Sequence, residues 1–170
     1  IRDVSERKQI ELEKEVIDAV NNALISSYNV QEVYTTVSQK LLHVFSFERM
    51  DILLPGSKAH TMRVFVSIHG DDAAPAYDDR NLPIEGAPLE DVFQSRTPVI
   101  LDYQDTKPHP ALLGLFGKTL HTSLCFPLEY QENTIGILHF GNYSDRRFSS
   151  ESFEFLERIA TQIAIAIENT

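Results

Sequence analysis

Apolar positions along the chain follow two rhythms, and each rhythm predicts an element. From Ile1 to about Ile25, Ile10, Ile17, Val20 and Leu24 recur by sevens, threes and fours, with Leu12, Val16, Ala19 and Ala23 in a neighbouring stripe. This spacing predicts a helix whose apolar band suits either a partner helix or its own domain. Asn29, with Glu32 three residues on, has the capping-box pattern. Val30, Val33, Tyr34, Val37, Leu41, Val44 and Phe45 then continue one face, predicting a second helix to about Phe45.

The period next changes to two. Met50, Ile52 and Leu54 alternate with Arg49 and Asp51 as far as Pro55-Gly56. Met62, Val64, Val66 and Ile68 alternate as far as His69-Gly70, predicting an antiparallel partner. Gly70 to Asn81, rich in Ala, Pro and Asp, predicts a mobile loop. Short helices are expected over Glu85 to Ser95 and Ala111 to Leu120, with a brief strand from Pro98 to Asp102 and a loop from Tyr103 to Pro110. Thr122 to Tyr130 and Thr134 to Asn142 predict a hairpin joined by Gln131-Glu132-Asn133. Ser149 can cap a last helix whose buried face is Phe153, Leu156, Ile159, Ala160, Ile163, Ala164 and Ile167. Tight hairpins without long crossovers imply an α+β fold, with an antiparallel sheet of five or six strands and helices on both faces.

Charge and composition narrow the function. Fifteen basic residues against twenty-five acidic ones give a formal net charge of −10, and no basic stripe offsets it, so nucleic acid is not an expected partner. No apolar run approaches the roughly 20 residues needed to cross a bilayer, so no membrane insertion by this segment is expected. The single cysteine, Cys125, suits a reducing, cytoplasmic setting, and the start on Ile1 reads as a piece of a longer protein. The chain carries no Gly-x-Ser-x-Gly elbow, no His-Glu-x-x-His and no phosphate-cradling glycine loop, and it is expected not to be an enzyme. None of the six histidines stands at ligand spacing to a second His or Cys, so no metal site is expected. The acidic stretch around Asp71-Asp72 and Asp78-Asp79 reads as a solvated loop rather than a cation site.

Leu82-Pro83, Gly86 to Phe93, Thr97-Pro98-Val99-Ile100 before Asp102, Ser123-Leu124-Cys125-Phe126-Pro127-Leu128, and Ile135-Gly136-Ile137-Leu138 occur in an order that resembles a GAF domain. Phe148-Ser149, Phe153, Leu156 and Ala160-Thr161-Gln162-Ile163-Ala164 resemble that family's closing helix, and the similarity covers about Ser26 to Thr170. Arg2-Asp3-Val4-Ser5-Glu6-Arg7-Lys8 resembles the exit signature of a PAS domain, which implies residues 1–25 are a linker helix after such a domain and residues 26–170 the GAF domain. The resemblance implies a PAS-like GAF fold and a sensor module of a signalling protein such as a sensor kinase or diguanylate cyclase. The apolar first and last helices that frame the domain are expected to pair with those of a second chain, giving a homodimer. The alternatives are a ligand-free dimerisation spacer and, more remotely, a reductase of methionine sulfoxide. That chemistry recycles through more than one cysteine.

Strand parity puts Ile137, His139 and Gly141 on one side of their strand, with Ser123 and Cys125 matching on the strand before. In phytochrome-like GAF domains the face matching Ile137 and His139 looks into the chromophore cavity. The expected small-molecule ligand residues are therefore Ser67, His69, Asp102, His121, Ser123, Cys125, Ile137 and His139. Photoreceptor GAF domains hold bilin through a Cys-His pair before the Ser123 strand. The present chain has His109-Pro110-Ala111-Leu112 there, so no covalent bilin is expected and any cofactor is unknown. The Asn-Lys-Phe-Asp-Glu constellation of cyclic-nucleotide GAF domains is also absent.

Overall fold

The four inner strands of the central sheet have buried apolar side chains on both faces, which forces a three-layer arrangement with helices above and below. The computed structural model describes residues 2–26, 34, 37–38, 41, 45, 47–69, 76–103, 110, 113, 116, 120–145 and 150–168. Among these, the elements run α1 (Arg2–Ser26), β1 (Arg49–Pro55), β2 (Thr61–His69), β3 (Ala76–Pro83), α2 (Pro88–Ser95), β4 (Val99–Asp102), β5 (Thr122–Tyr130), β6 (Asn133–Asn142) and α3 (Ser150–Glu168). All pairings are antiparallel, and the six strands lie in the order β3-β2-β1-β6-β5-β4. The expected α+β fold and strand number hold.

One face of the sheet carries Met50, Ile52, Val66, Ile68, Leu124, Phe126, Leu138 and Phe140. Against it pack Phe155, Leu156, Ile159 and Ile163 of α3, the helical residues Tyr34, Val37 and Leu41, and Leu12 and Val16 of α1. The 3.6-residue rhythm of α3 is thus its buried face, as expected, with Phe155 and Ala166 added to it. Aromatic packing ties the layers: Phe47 stacks on Phe140 at 4.3 Å and Phe45 meets Phe155 at 5.1 Å. The opposite face carries Leu53, Met62, Val64, Cys125 and Ile137 under Leu89 and Val92 of α2, with Phe116 and Leu120 alongside.

Four departures from expectation have physical causes. The alternation over Met62 to Ile68 is broken by a bulge, because Ile52 pairs with Val66 but Leu53 with Val64, leaving Phe65 as the extra residue. Val66 and Ile68 therefore face the α1/α3 layer, whereas Met62 and Val64 face α2. Residues 76–81 form most of β3 rather than a mobile loop. As an edge strand, β3 is held by backbone pairing to β2, and charge on an edge strand discourages further pairing. Helix α2 begins at Pro88, not Glu85, since Ile84 to Gly86 make a turn and Ala87 takes the N-cap position. The β5–β6 turn has two residues, not three: Tyr130 pairs with Asn133, and Gln131 and Glu132 both sit at positive φ (48° and 66°). The Asn29/Glu32 cap, the Ser149 cap and residues 104–109 lie outside the described residues.

The first helix uses its two stripes differently. Leu12 and Val16 dock on the domain itself, while Ile10 is 65% exposed. Arg158 of α3 donates to both carboxylate oxygens of Glu13, at 2.7 and 3.0 Å, so α1 and α3 are also clasped at their surface.

Two substitutions test this architecture by chemical denaturation. Glu132→Gly removes a left-handed side chain from the primed turn and is expected to stabilise by about 0.5–1 kcal/mol. Gly136→Ala sets a Cβ 2.6 Å from the Leu53 carbonyl oxygen, a backbone atom of the neighbouring strand. A loss of about 2 kcal/mol or more is expected, and an unchanged midpoint would contradict the close approach of β1 and β6.

Candidate functional site

β1 is packed on both faces, so its Arg49 and Asp51 are held out of water. They are 4% and 1% exposed, on the face that also carries Ser67, Ser123 and His139. Register explains the cluster. Asp51 lies directly opposite Ser67 on β2 and opposite His139 on β6, and Ser123 lies opposite Gly141, diagonal to His139. Gly141 leaves the necessary room, because a Cβ there would sit 2.9 Å from the His139 ring and 3.2 Å from Arg49 Cγ.

The side chains form one hydrogen-bonded chain across four strands. Arg49 donates through Nε to Asp51 Oδ2 at 2.9 Å and through Nη2 to Asp51 Oδ1 at 2.6 Å, the two-pronged arrangement a guanidinium favours. Ser67 Oγ accepts from Arg49 Nη2 at 2.9 Å and donates to Asp51 Oδ1 at 2.6 Å. His139 Nδ1 lies 2.8 Å from Asp51 Oδ2, and His139 Nε2 lies 2.8 Å from Ser123 Oγ. The carboxylate accepts, so Nδ1 carries the proton and Nε2 accepts from the Ser123 hydroxyl. Arg49 Nη1 donates to the Tyr143 hydroxyl at 2.7 Å and to the Phe116 carbonyl at 3.2 Å, and Tyr143 donates to the same carbonyl at 3.1 Å. The Phe116 ring closes the cluster, stacked on His139 at 4.4 Å and 15°, with the Arg49 guanidinium 4.7 Å from its centroid.

Burial and charge pull against each other here. Burial alone would raise the Asp51 carboxyl, but Arg49 and His139 together outweigh it and hold Asp51 well below the usual carboxylate range. Burial lowers His139 below its ordinary value, and the Arg49 charge adds to that, overcoming the opposing pull of Asp51. His139 is therefore neutral. The Ser123–His139–Asp51 order matches a nucleophilic triad, but Ser123 is wholly buried and so not exposed to substrate. Burial, and then the Asp51 charge, push the Cys125 thiol far up, leaving it a poor nucleophile.

Of the expected residues, the structure brings Ser67, Ser123 and His139 into this chain, with Cys125 and Ile137 buried beside them on the same face. His69 and Asp102 are exposed at strand ends, and His121 is half-buried, its Nε2 3.2 Å from Asp145 Oδ1. Arg49, Asp51, Phe116 and Tyr143 were not expected. The legible signal for the first two was a charged pair on a strand predicted to be flanked on both sides. A separate surface groove of about 450 Å3 lies between the β1–β2 turn and α2, over Met62, Ile84 and Phe93. The His60–Glu90 pair stands in its wall, and none of the expected residues lines it.

A GAF domain family profile matches residues 27–168. The chain belongs to the GAF domain family. This GAF domain is 22% identical over 158 residues to the formate hydrogenlyase transcriptional activator of Salmonella typhimurium (strain SL1344), covering 91% of the present chain and 23% of that protein. It thus spans about a quarter of the relative's length. Its fold is similar to the GAF domain of an Acinetobacter phosphoenolpyruvate-protein phosphotransferase, with a TM-score of 0.75 at 16% identity, covering 95% of this chain and 93% of that one. It is also similar to the phycoerythrobilin-bound GAF domain of a cyanobacterial phytochrome, with a TM-score of 0.72 at 16% identity, covering 92% and 95%. GAF domains occur in signalling proteins, and the role of the domain is regulatory. No helix among the described residues is long and apolar enough to cross a membrane.

The ionic chain makes two predictions. Asp51→Ala strands the buried Arg49 charge and is expected to cost about 3–5 kcal/mol in denaturant unfolding, whereas Arg49→Met with Asp51→Leu costs less than the single change. Additive losses would contradict the pairing. The unfolded chain binds a proton at His139 below about pH 6.5 while the folded chain resists it, so stability holds above that pH and declines as pH falls through it. A second decline follows below the ordinary carboxylate range, as Asp51 takes up a proton more readily in the unfolded chain. His139→Gln should remove the first decline and keep the second, as read from unfolding midpoints between about pH 2 and 8.

Proposed function

We propose that this GAF domain is a sensor module of a longer cytoplasmic signalling protein, in which a small molecule on the α2 face of the sheet biases how α1 and α3 pack. The observation that carries this is the buried Arg49–Asp51–His139–Ser123 chain. Apolar side chains of the same volume would stabilise that face at least as well, and clusters of strongly perturbed groups mark functional sites. The phytochrome neighbour, described as phycoerythrobilin-bound, supports a ligand in this fold.

The route outward runs through the helices. Leu12 and Val16 seat α1 in the layer that contains α3, and Glu13 and Arg158 clasp them. The exposed Ile10, on the outer side of α1 from the docked Leu12 and Val16, suits pairing with α1 of a second copy. Ligand binding would shift the balance between two packings of this bundle. The Asp3-Val4-Ser5-Glu6-Arg7-Lys8 run supports a PAS domain upstream, and the activator relative supports an output domain elsewhere in the protein.

A second function has its own support. Phe116 stacks on His139 and its carbonyl takes two donors, so the domain's own chain meets the cluster. On that footing the domain is a ligand-free spacer that dimerises.

Native mass spectrometry separates the two. A small molecule retained in the native but not the denatured spectrum is the sensor's expected result. A bare chain that no metabolite mixture stabilises against heat would leave the spacer. In either case the chain is expected to sediment as a dimer, and Ile10→Lys is expected to weaken dimerisation by at least about ten-fold. A monomer at high concentration would contradict the bundle.

A further inference from the structure

We propose that the groove between the β1–β2 turn and α2 is a binding site for a small organic monocarboxylate, its apolar body on Met62, Ile84 and Phe93 and its charged end at Lys58. No member of the buried ionic chain lines this groove, so the inference goes beyond the sensor function proposed above. The space is of a suitable size. Its volume of about 450 Å3 falls in the range that holds a small molecule on an apolar floor with a few polar groups at the edge. Met62 and Ile84 are 1% and 4% exposed and belong to the core under α2, and Phe93 packs half-buried against that core.

The turn that walls the groove is fixed by its own hydrogen bonds. Asn81 of β3 accepts from the Ser57 amide at 2.9 Å and donates to the Ser57 hydroxyl at 2.8 Å. Thr61 Oγ1 donates to the Lys58 carbonyl at 2.6 Å. Gly56 has no room for a side chain, since a Cβ there would lie 2.2 Å from Thr61 Oγ1 and 2.5 Å from Asn81 Oδ1. His60 holds a left-handed backbone at φ 55°, and its carbonyl takes the Ile84 amide at 2.9 Å. A turn tied this way to β3 and to Ile84 loses little freedom when a ligand settles against it.

Charge selects the polar end of the ligand. The ionisable groups lining the groove are Lys58, His60 and Glu90. His60 Nδ1 lies 2.7 Å from Glu90 Oε2, and that bond, then the Glu90 charge, raise His60 above its ordinary value, with Glu85 adding to them. An ionised His60–Glu90 pair is balanced within itself. Lys58, exposed on the turn, has no acidic partner among the described residues, which leaves one uncompensated positive charge at the edge of an apolar floor. A carboxylate completes this arrangement, whereas an ammonium would face Lys58 and find Glu90 already engaged. The apolar body supplies most of the affinity and the exposed ion pair a smaller part, which sets preference more than strength.

The test is an NMR titration of the 170-residue chain at neutral pH with four probes: hydrocinnamate, its uncharged amide, phenethylamine and acetate. Hydrocinnamate is expected to shift the Met62 methyl and Phe93 ring resonances. It should bind about three-fold more tightly than the amide, which lacks the charge, and at least about ten-fold more tightly than acetate, which lacks the apolar body. Lys58→Gln is expected to abolish the preference for acid over amide while leaving the affinity for the amide and the melting temperature unchanged. No shift at Met62 and Phe93, amide or amine binding as tight as that of the acid, or an acid preference that survives Lys58→Gln each overturns the proposal. Shifts confined to His139 and Phe116 would also overturn it, yet support the sensor function at the buried chain.

Discussion

The Asp51 carboxylate sits out of water between a guanidinium and an imidazole, and much of the α2 face is arranged around that fact. Burying a lone carboxylate would be prohibitive, so the neighbouring positions are constrained by it. Arg49 must lie two residues away on the same strand face, where its planar fork reaches both oxygens. His139 must stand opposite on β6, and Gly141 must lack a side chain for the ring to fit. Ser67 reaches this face because the bulge at Phe65 reverses the parity of β2, so that Val66 and Ile68 still serve the other core. A change in strand register of one residue would turn these polar groups into the α1/α3 core, so the network also specifies how β1, β2 and β6 pair.

The two faces of the sheet thereby have different roles. The α1/α3 side is close-packed with aromatic and aliphatic side chains. The α2 side has a polar floor whose outer contacts come from Phe116 and Tyr143. The sheet lies between a polar floor and a helical layer, so a change of packing on one face bears on the packing of the other. The clasp between Glu13 and Arg158 is exposed, so it orients α1 more than it stabilises it.

Much of this was legible in the sequence, unevenly and for physical reasons. The periodicity of α3 and the alternation of β5 and β6 were plain because each element meets one uniform apolar layer. Parity alone placed Ser123, Cys125, Ile137 and His139 together. Arg49 and Asp51 escaped notice because alternation with polar residues looks the same whether the second face meets water or a covered cluster. β3 escaped because an edge strand needs no hydrophobic signature when its neighbour supplies the hydrogen bonds. The Phe65 bulge is invisible locally, since hydrophobic alternation continues on both sides of it. Phe116 gains its position only through the packing of segments distant in sequence from β1 and β6.

The most direct measurement is the protonation state of His139 itself, by 15N NMR of the imidazole nitrogens between pH 5 and 8. The Asp51-centred account predicts a neutral ring with the proton on Nδ1, unchanged across physiological pH. A ring that titrates near the ordinary value of about 6.5, or that carries its proton on Nε2, would contradict it.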